Sequence, residues 1–201
     1  MWEITNTIKE PIIKIYPYGS RVYGTNNSKS DYDFMAIAQT KDTKLDYTFE
    51  CGNVSVHVVS EHLFIKRIKE HHISYLECIF QDDNDEYQKY FELDLTKLRR
   101  SISAISSNSF VKCKKKIRDG EIYIGKKSMF HAIRILMMGI QIAQHGKITN
   151  YYCAHFFYYD LMKRMGDEWQ PIQDRFQPIY NELKTEFRKL APLESDQRRK
   201  G

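Results

Sequence analysis

No stretch of this sequence approaches the roughly 18 to 20 consecutive apolar residues that a membrane-spanning helix needs. Its first residues, MWEITNTIKEPIIKIYPYG, carry acids and polar groups where a secretory leader wants an apolar segment. The expectation is an intracellular, cytoplasmic protein with no membrane contact. Cysteine is scarce and scattered: Cys51, Cys78, Cys113 and Cys153 lie far apart and form no Cys-x-x-Cys pair. A disulfide scaffold and a thiolate zinc site are therefore not indicated, and buried small side chains or free thiols are expected. No internal repeat is visible. A strong charge excess is also missing, since 31 basic against 26 acidic residues leave a net +5. That balance is compatible with phosphate-bearing ligands without demonstrating them.

What is present is enough apolar material for a core: 42% of 201 residues are hydrophobic, too many for a wholly disordered chain. The β-branched run Pro11 to Ile15 stops at Tyr16-Pro17-Tyr18-Gly19-Ser20, and a second apolar run spans Phe34 to Ala38. This pattern predicts strand, turn, short helix or loop, strand. YTFE and VSVHVV flank Cys51-Gly52-Asn53, which predicts a β-hairpin. Ser60 is placed to cap a helix carrying Phe64, Ile65 and Ile68. Ser74-x-x-Glu77 has the form of a capping box ahead of Leu76, Ile79 and Phe80.

The acidic stretch QDDNDEY at 81–87 separates this region from a second half with stronger helical periodicity. There, Met129, Ile133, Leu136, Met137, Ile140 and Ala143 recur at helical spacing ahead of a C-capping Gly146. Ile179, Leu183, Phe187 and Leu190 line one face of a later helix. The expected architecture is α+β: a small mixed β-sheet domain with flanking helices over residues 1–93, then a helical domain over 94–201. The last residues, ESDQRRKG, are expected to form a flexible tail.

The densest chemistry lies in GSRVYGTNNSKSDYDF, residues 19–34. Side chains alternate along a strand, so Asp31 and Asp33 would share one face with Cβ atoms about 7 Å apart. Two such carboxylates repel unless a cation sits between them, and Mg²⁺ suits the position because it takes oxygen ligands and keeps sites for water and phosphate. Gly19 allows close backbone approach, Ser20 offers a hydroxyl and exposed N–H groups to a phosphate oxygen, and Arg21 adds a cation. Turn and carboxylate pair together make a metal-bridged triphosphate site.

This segment resembles the signature of the DNA polymerase beta-like nucleotidyltransferase superfamily, in which Gly-Ser is followed about ten residues later by Asp-x-Asp. With ISYLECIF and IGKKSMFHAIRILMMGIQIAQHGKI downstream, the chain is similar to nucleotidyltransferase-like proteins of bacteria and phages, some of them linked to RNA repair. The resemblance implies a palm-like mixed sheet in which Gly19 and Ser20 bind an NTP while Asp31 and Asp33 bind two Mg²⁺ (or Mn²⁺). It also implies in-line attack of an acceptor hydroxyl, best fitted by RNA, on the α-phosphate. The alternative is a non-catalytic nucleotide- or partner-binding protein of the same fold.

Members of that superfamily commonly carry a third carboxylate on a later strand. The best matching position, in VSVHVVS, holds His57. An imidazole can act as a base near pH 7 or ligate a divalent ion, although it suits Mn²⁺ or Zn²⁺ better than Mg²⁺. Three accounts stay open: a substituted catalytic group, a binding protein without turnover, or a strand alignment in which another residue, such as Glu50, reaches the space. Beyond this segment, KCKKKIRDGEIYIGKKSMFHAIR is strongly basic, and its Lys126 and Lys127 are the first candidates for phosphate contacts. A solvated helix face explains the stretch equally well. The aromatic run YYCAHFFYYD, 151–160, is expected in the core more than as a base-stacking surface, and His71, His72 and His131 show no ligand spacing.

Overall fold

In the computed structural model, residues 8–193 are described. Residues 1–7 and the expected tail, 194–201, lie outside the described residues. The protein is α+β, with a four-stranded mixed sheet and flanking helices followed by a helical lobe. It divides into two compact units, Met1–Glu92 and Leu93–Gly201.

The first unit is built on strands β1 (Ile12–Tyr18), β2 (Tyr32–Ala38), β3 (Asp46–Cys51) and β4 (Val54–Ser60), in the spatial order β1-β2-β4-β3. β2 and β4 are the central, parallel pair, and each has an antiparallel edge strand, β1 and β3 respectively. Their composition explains the placement. MAIA and VHVVS are the most deeply buried stretches, as central strands require. β1 carries Pro17, which lacks the donor that a central ladder needs. The β3–β4 hairpin turns at Gly52, whose φ is +58°.

One sheet face, formed by Ala36, Ala38, Val56 and Val58, packs with Ile8 and with partly buried Phe34, Tyr47 and Phe49. The opposite face carries Tyr16, Met35, Ile37 and Val59 and is covered by α1 (Glu61–Lys69) and α2 (Ile73–Ile79). There the Tyr16 and Phe64 rings stack at 5.6 Å, and Cys78 Sγ lies 3.8 Å from Met35 Sδ.

Ser60 caps α1 as its sequence suggests, its hydroxyl accepting from the Leu63 N–H at 3.2 Å. The expected capping box at Ser74-x-x-Glu77 does not form. α2 begins at Ile73 behind His72, so Ser74 already lies within the helix, and Glu77 is drawn inward by a hydroxyl partner. A 3₁₀ turn, Glu86–Tyr90, closes the unit, with the Asp85 carboxylate accepting from the Tyr87 N–H at its start.

The second unit contains α3 (Leu95–Arg118), α4 (Ile122–His145), α5 (His155–Tyr159), which runs into a π turn at 160–164, and α6 (Trp169–Leu190). The three residues joining α3 and α4 include Gly120 at φ +82°, and so short a link makes the two helices neighbours. Gly139 gives the packing its close approach: a Cβ there would come within 2.8 Å of Ile102 and 3.2 Å of Phe187. α4 is buried on nearly every side in its middle turns, more widely than a single stripe, and ends at Gly146 in the left-handed conformation. On α6 the inward stripe is Ile172, Phe176, Tyr180 and Phe187, so the expected face is rotated away from Ile179, which is only partly buried.

Candidate functional site

The segment with the densest chemistry folds as a hinge between two paired strands. β1 ends at Tyr18, and residues Gly19–Arg21 form one 3₁₀ turn. The loop returns to start β2 at Tyr32, so Asp33 lies beside Tyr18 in the ladder. Gly19 has φ +77°, a conformation that glycine adopts without steric cost. A Cβ at Gly19 would lie 2.2 Å from Asp33 Oδ2 and 2.8 Å from its Cγ. The Asp33 carboxylate therefore occupies the space next to the turn backbone that any other residue would fill. Asp31, immediately before β2, is exposed, whereas Asp33 is half-buried.

Arg21, expected to face a phosphate, is engaged within the loop. Its guanidinium donates to the Ser30 carbonyl at 2.9 Å and to the Asp31 carbonyl at 3.2 Å, and it lies 3.6 Å from the centroid of the Tyr32 ring. Arg21 thus clasps the far end of the loop to the turn. Asn27 and Ser30 add a local bracket in which the Ser30 hydroxyl accepts from the Asn27 N–H at 2.8 Å. The loop's Ser and Asn residues hold its shape.

Buried acids behind β1 support the same turn, and sequence reasoning missed them. Glu77, on α2, accepts from the Tyr23 hydroxyl just past the turn. Gln81 donates to the Pro17 carbonyl at 2.9 Å. Asp85 accepts from the Tyr16 hydroxyl at 2.9 Å, from Lys14 at 2.7 Å and from the Tyr87 N–H at 2.8 Å. Burial first, then the hydrogen bond and charge of Asp85, pushes the Tyr16 phenol well up. Lys14 is pulled down by burial, but the contacts to Asp85 and Glu86 outweigh that and raise it overall. The missed signal was Asp85 within QDDNDEY: an acidic run reads as solvated, yet one of its members anchors the edge strand.

His57 lies on the same sheet face as Asp33, on the adjacent strand and one same-face step along from the position directly opposite it. In the parallel ladder Asp33 pairs with Ser55, and His57 pairs with Met35 one step further along. Its Nε2 lies 2.7 Å from Asp46 Oδ1 on β3. Ser55 in turn pairs with Glu50. Paired positions share a face, so the row beside Asp33 reads Tyr18, Asp33, Ser55, Glu50, and Glu50 is two strand spacings away, about 10 Å. Glu50 is exposed.

In the helical unit, Lys126 and Lys127 divide. Lys126 is buried, and its ammonium donates to the Met165 carbonyl and to Asp167, each at 2.9 Å. That side chain is committed to internal packing, against the expectation of a phosphate contact, while Lys127 stays half-buried at the surface. The 151–160 run also departs from expectation. Tyr152, Phe156 and Tyr159 are 59%, 58% and 50% exposed; only Ala154 and Asp160 within the run are buried.

Among the described residues, no group of three or more His, Cys, Asp or Glu side chains is arranged to hold a metal ion. Asp31 and Asp33 supply two carboxylates, and the cradle at Gly19 leaves room for Asp33 and little else. That donor set fits a hard divalent ion completing its shell with water and phosphate oxygens, as Mg²⁺ commonly does. It does not fit a metal held by protein alone. No helix among the described residues is long and apolar enough to cross a membrane.

No family model and no curated protein match the chain. Among solved structures, the chain is similar to a nucleotidyltransferase-like protein from Exiguobacterium sibiricum 255-15. The two are 13% identical, the likeness covers 94% of this chain and 72% of that one, and the TM-score is 0.35.

Proposed function

We propose that this chain is a metal-dependent nucleotidyltransferase of the DNA polymerase beta-like kind, moving a nucleoside monophosphate from an NTP to an acceptor hydroxyl, with RNA as the acceptor. The observation that carries the proposal is the contact between the Asp33 carboxylate and the Gly19 backbone, which joins a phosphate-suited turn to a metal-suited acid in one structural unit. Gly19 and Ser20 present the turn's backbone to the triphosphate. Asp31 and Asp33 hold Mg²⁺ or Mn²⁺, which when bound supplies the positive charge that offsets the phosphate oxygens. The acceptor oxygen bonds to the α-phosphorus as the bond to the bridging oxygen of the β-phosphate breaks. Pyrophosphate leaves, and the hydroxyl proton passes to water. Arg21 orders the loop that carries Asp31.

A second reading, nucleotide binding without turnover, is favoured by one observation: the ladder position beside Asp33 holds Ser55, and His57 is bound to Asp46. Incubation with each α-labelled NTP, Mg²⁺ or Mn²⁺ and pooled RNA separates the two. Transfer to RNA that is abolished by Asp31→Ala plus Asp33→Ala supports the enzyme. Transfer that survives the double substitution sinks the assigned site, and nucleotide binding with no transfer to any acceptor selects the second reading. In the enzyme, Glu50→Gln lowers transfer more than His57→Gln does.

A further inference from the structure

The two units differ sharply in charge. Residues through Glu92 include ten basic and fifteen acidic side chains, a net −5; those from Leu93 onward include twenty-one basic and eleven acidic, a net +10. The helical unit therefore carries twice the positive charge of the whole chain. On that unit a set of aromatic rings is left in water. Phe156 and Tyr159 lie three apart on α5, Tyr152 precedes them in the leading turn, and Tyr123 at the start of α4 is 52% exposed. Large aromatic side chains are normally covered, and several exposed together mark a contact surface.

Geometry makes these rings one neighbourhood. The Tyr158 phenol, between Phe156 and Tyr159, is hydrogen-bonded to the Tyr123 side chain, and burial together with that contact pushes it up to about 12. Tyr158 also meets Phe130 edge-on at 5.2 Å, so α5 is fixed against α4. Cations border the rings. The Arg164 guanidinium lies 5.5 Å from the Tyr159 centroid, and Lys127 follows Tyr123 by four residues, on the same side of α4. Asp160, the nearest acid in sequence, is buried and shared between Arg175 at 3.0 Å and Arg164 at 3.9 Å, so Arg164 is held beside the Tyr159 ring while most of its side chain stays in water.

We propose that Tyr123, Tyr152, Phe156 and Tyr159, rimmed by Lys127 and Arg164, form a docking surface for a single strand of RNA. Exposed rings accept unstacked bases on their faces, and the bordering cations meet the phosphates between them. A duplex hides its base faces and cannot use the rings. Three of the four rings are tyrosines, whose hydroxyls can hydrogen-bond the ribose 2′-OH that distinguishes RNA from DNA. An acidic protein partner would use the cations but would leave the rings without flat partners. The choice of RNA as occupant rests on the proposed transferase function, in which this surface takes the acceptor strand.

The test is fluorescence anisotropy of the full chain with a labelled, unstructured 15-nucleotide RNA, a DNA strand of the same sequence and an RNA duplex. Binding of the RNA strand is expected to exceed that of either competitor at least tenfold. Replacing Tyr152, Phe156 and Tyr159 together by Ala should weaken it about 30-fold or more. The triple Leu variant keeps apolar bulk, removes the π faces and should weaken binding similarly, so a folding defect in the Ala variant cannot mimic the result. Lys127→Glu with Arg164→Glu should flatten the slope of log Kd against log salt by about 1.4, at roughly 0.7 per lost phosphate contact.

Asp31→Asn with Asp33→Asn should bind RNA like the unmodified chain. Ring-dependent RNA binding by the unmodified chain with no transfer activity would count against the transferase alone and leave the surface standing. The surface is overturned if the chain does not bind the RNA strand at 50 mM salt, or if the Leu variant binds unchanged. Equal affinity for the DNA strand or the duplex overturns it too, as does ring-dependent self-association in place of RNA binding.

Discussion

In the unit built on the sheet, the charged side chains that go inside are acids, Glu77 and Asp85, whereas the helical unit buries mainly bases, Arg99, Lys126 and Arg134, against one acid, Asp160. The surfaces lean the same way, net −5 against +10. An acidic unit, with Asp31 and Asp33 at its turn among its fifteen acids, attracts cations. A basic unit can meet a polyanion directly. The mild net charge of the whole chain is thus a cancellation between parts with opposite preferences.

Three substitutions sharpen that contrast. The largest effect is expected from Gly19→Ala, which combines a left-handed backbone with a methyl group 2.2 Å from the Asp33 carboxylate. A loss of about 3 kcal/mol follows from strain and overpacking together. Hydrogen exchange should quicken at the end of β1 and the start of β2 while α4 is unchanged; equal protection in both proteins would mean that the close contact is not a constraint.

Asp85→Ala comes next. It leaves the buried Tyr16 hydroxyl and the Lys14 ammonium without their shared acceptor, at a cost of about 2 kcal/mol, moderated by Lys14's partial exposure. Urea unfolding followed at the sheet unit reads it, and Asp85→Asn should recover part of the loss.

The smallest effect belongs to Lys126→Met. Asp167 is 73% exposed on its side chain and can turn to water, and exchanging a buried ion for an apolar chain is often neutral. A change of under about 1 kcal/mol in the helical unit's unfolding is expected. A loss as large as that of Asp85→Ala would show that buried bases and buried acids carry equal structural weight here.

Local patterns in the sequence were sufficient for much of this architecture. The Gly52 turn between alternating segments, Ser60 ahead of an amphipathic run and Gly146 after α4 are signals written within a few residues, and each forms as expected. The approach of Asp33 to the turn was legible for the same reason, because strand, turn and strand are contiguous. What escaped depended on partners distant in sequence. Which residue stands beside Asp33 is set by the parallel register of β2 and β4, and that register selects Ser55 over His57. The inward turn of Lys126 depends on a carbonyl and an acid about forty residues away. Glu77 reads as a helix-capping acid until Tyr23, 54 residues earlier in the chain, donates to it. The 151–160 rings read as core because aromatics usually are; that core is already filled by α3, α4 and α6.

The contact between Gly19 and Asp33 also sets a rule for recombining this segment with other scaffolds. The turn and the strand that follows it are interlocked parts: a glycine transplanted without its aspartate leaves an empty notch, and an aspartate transplanted without its glycine has nowhere to sit. A graft that moves residues 17–34 as one cassette carries the fit with it, whereas one that splices within the loop must rebuild it.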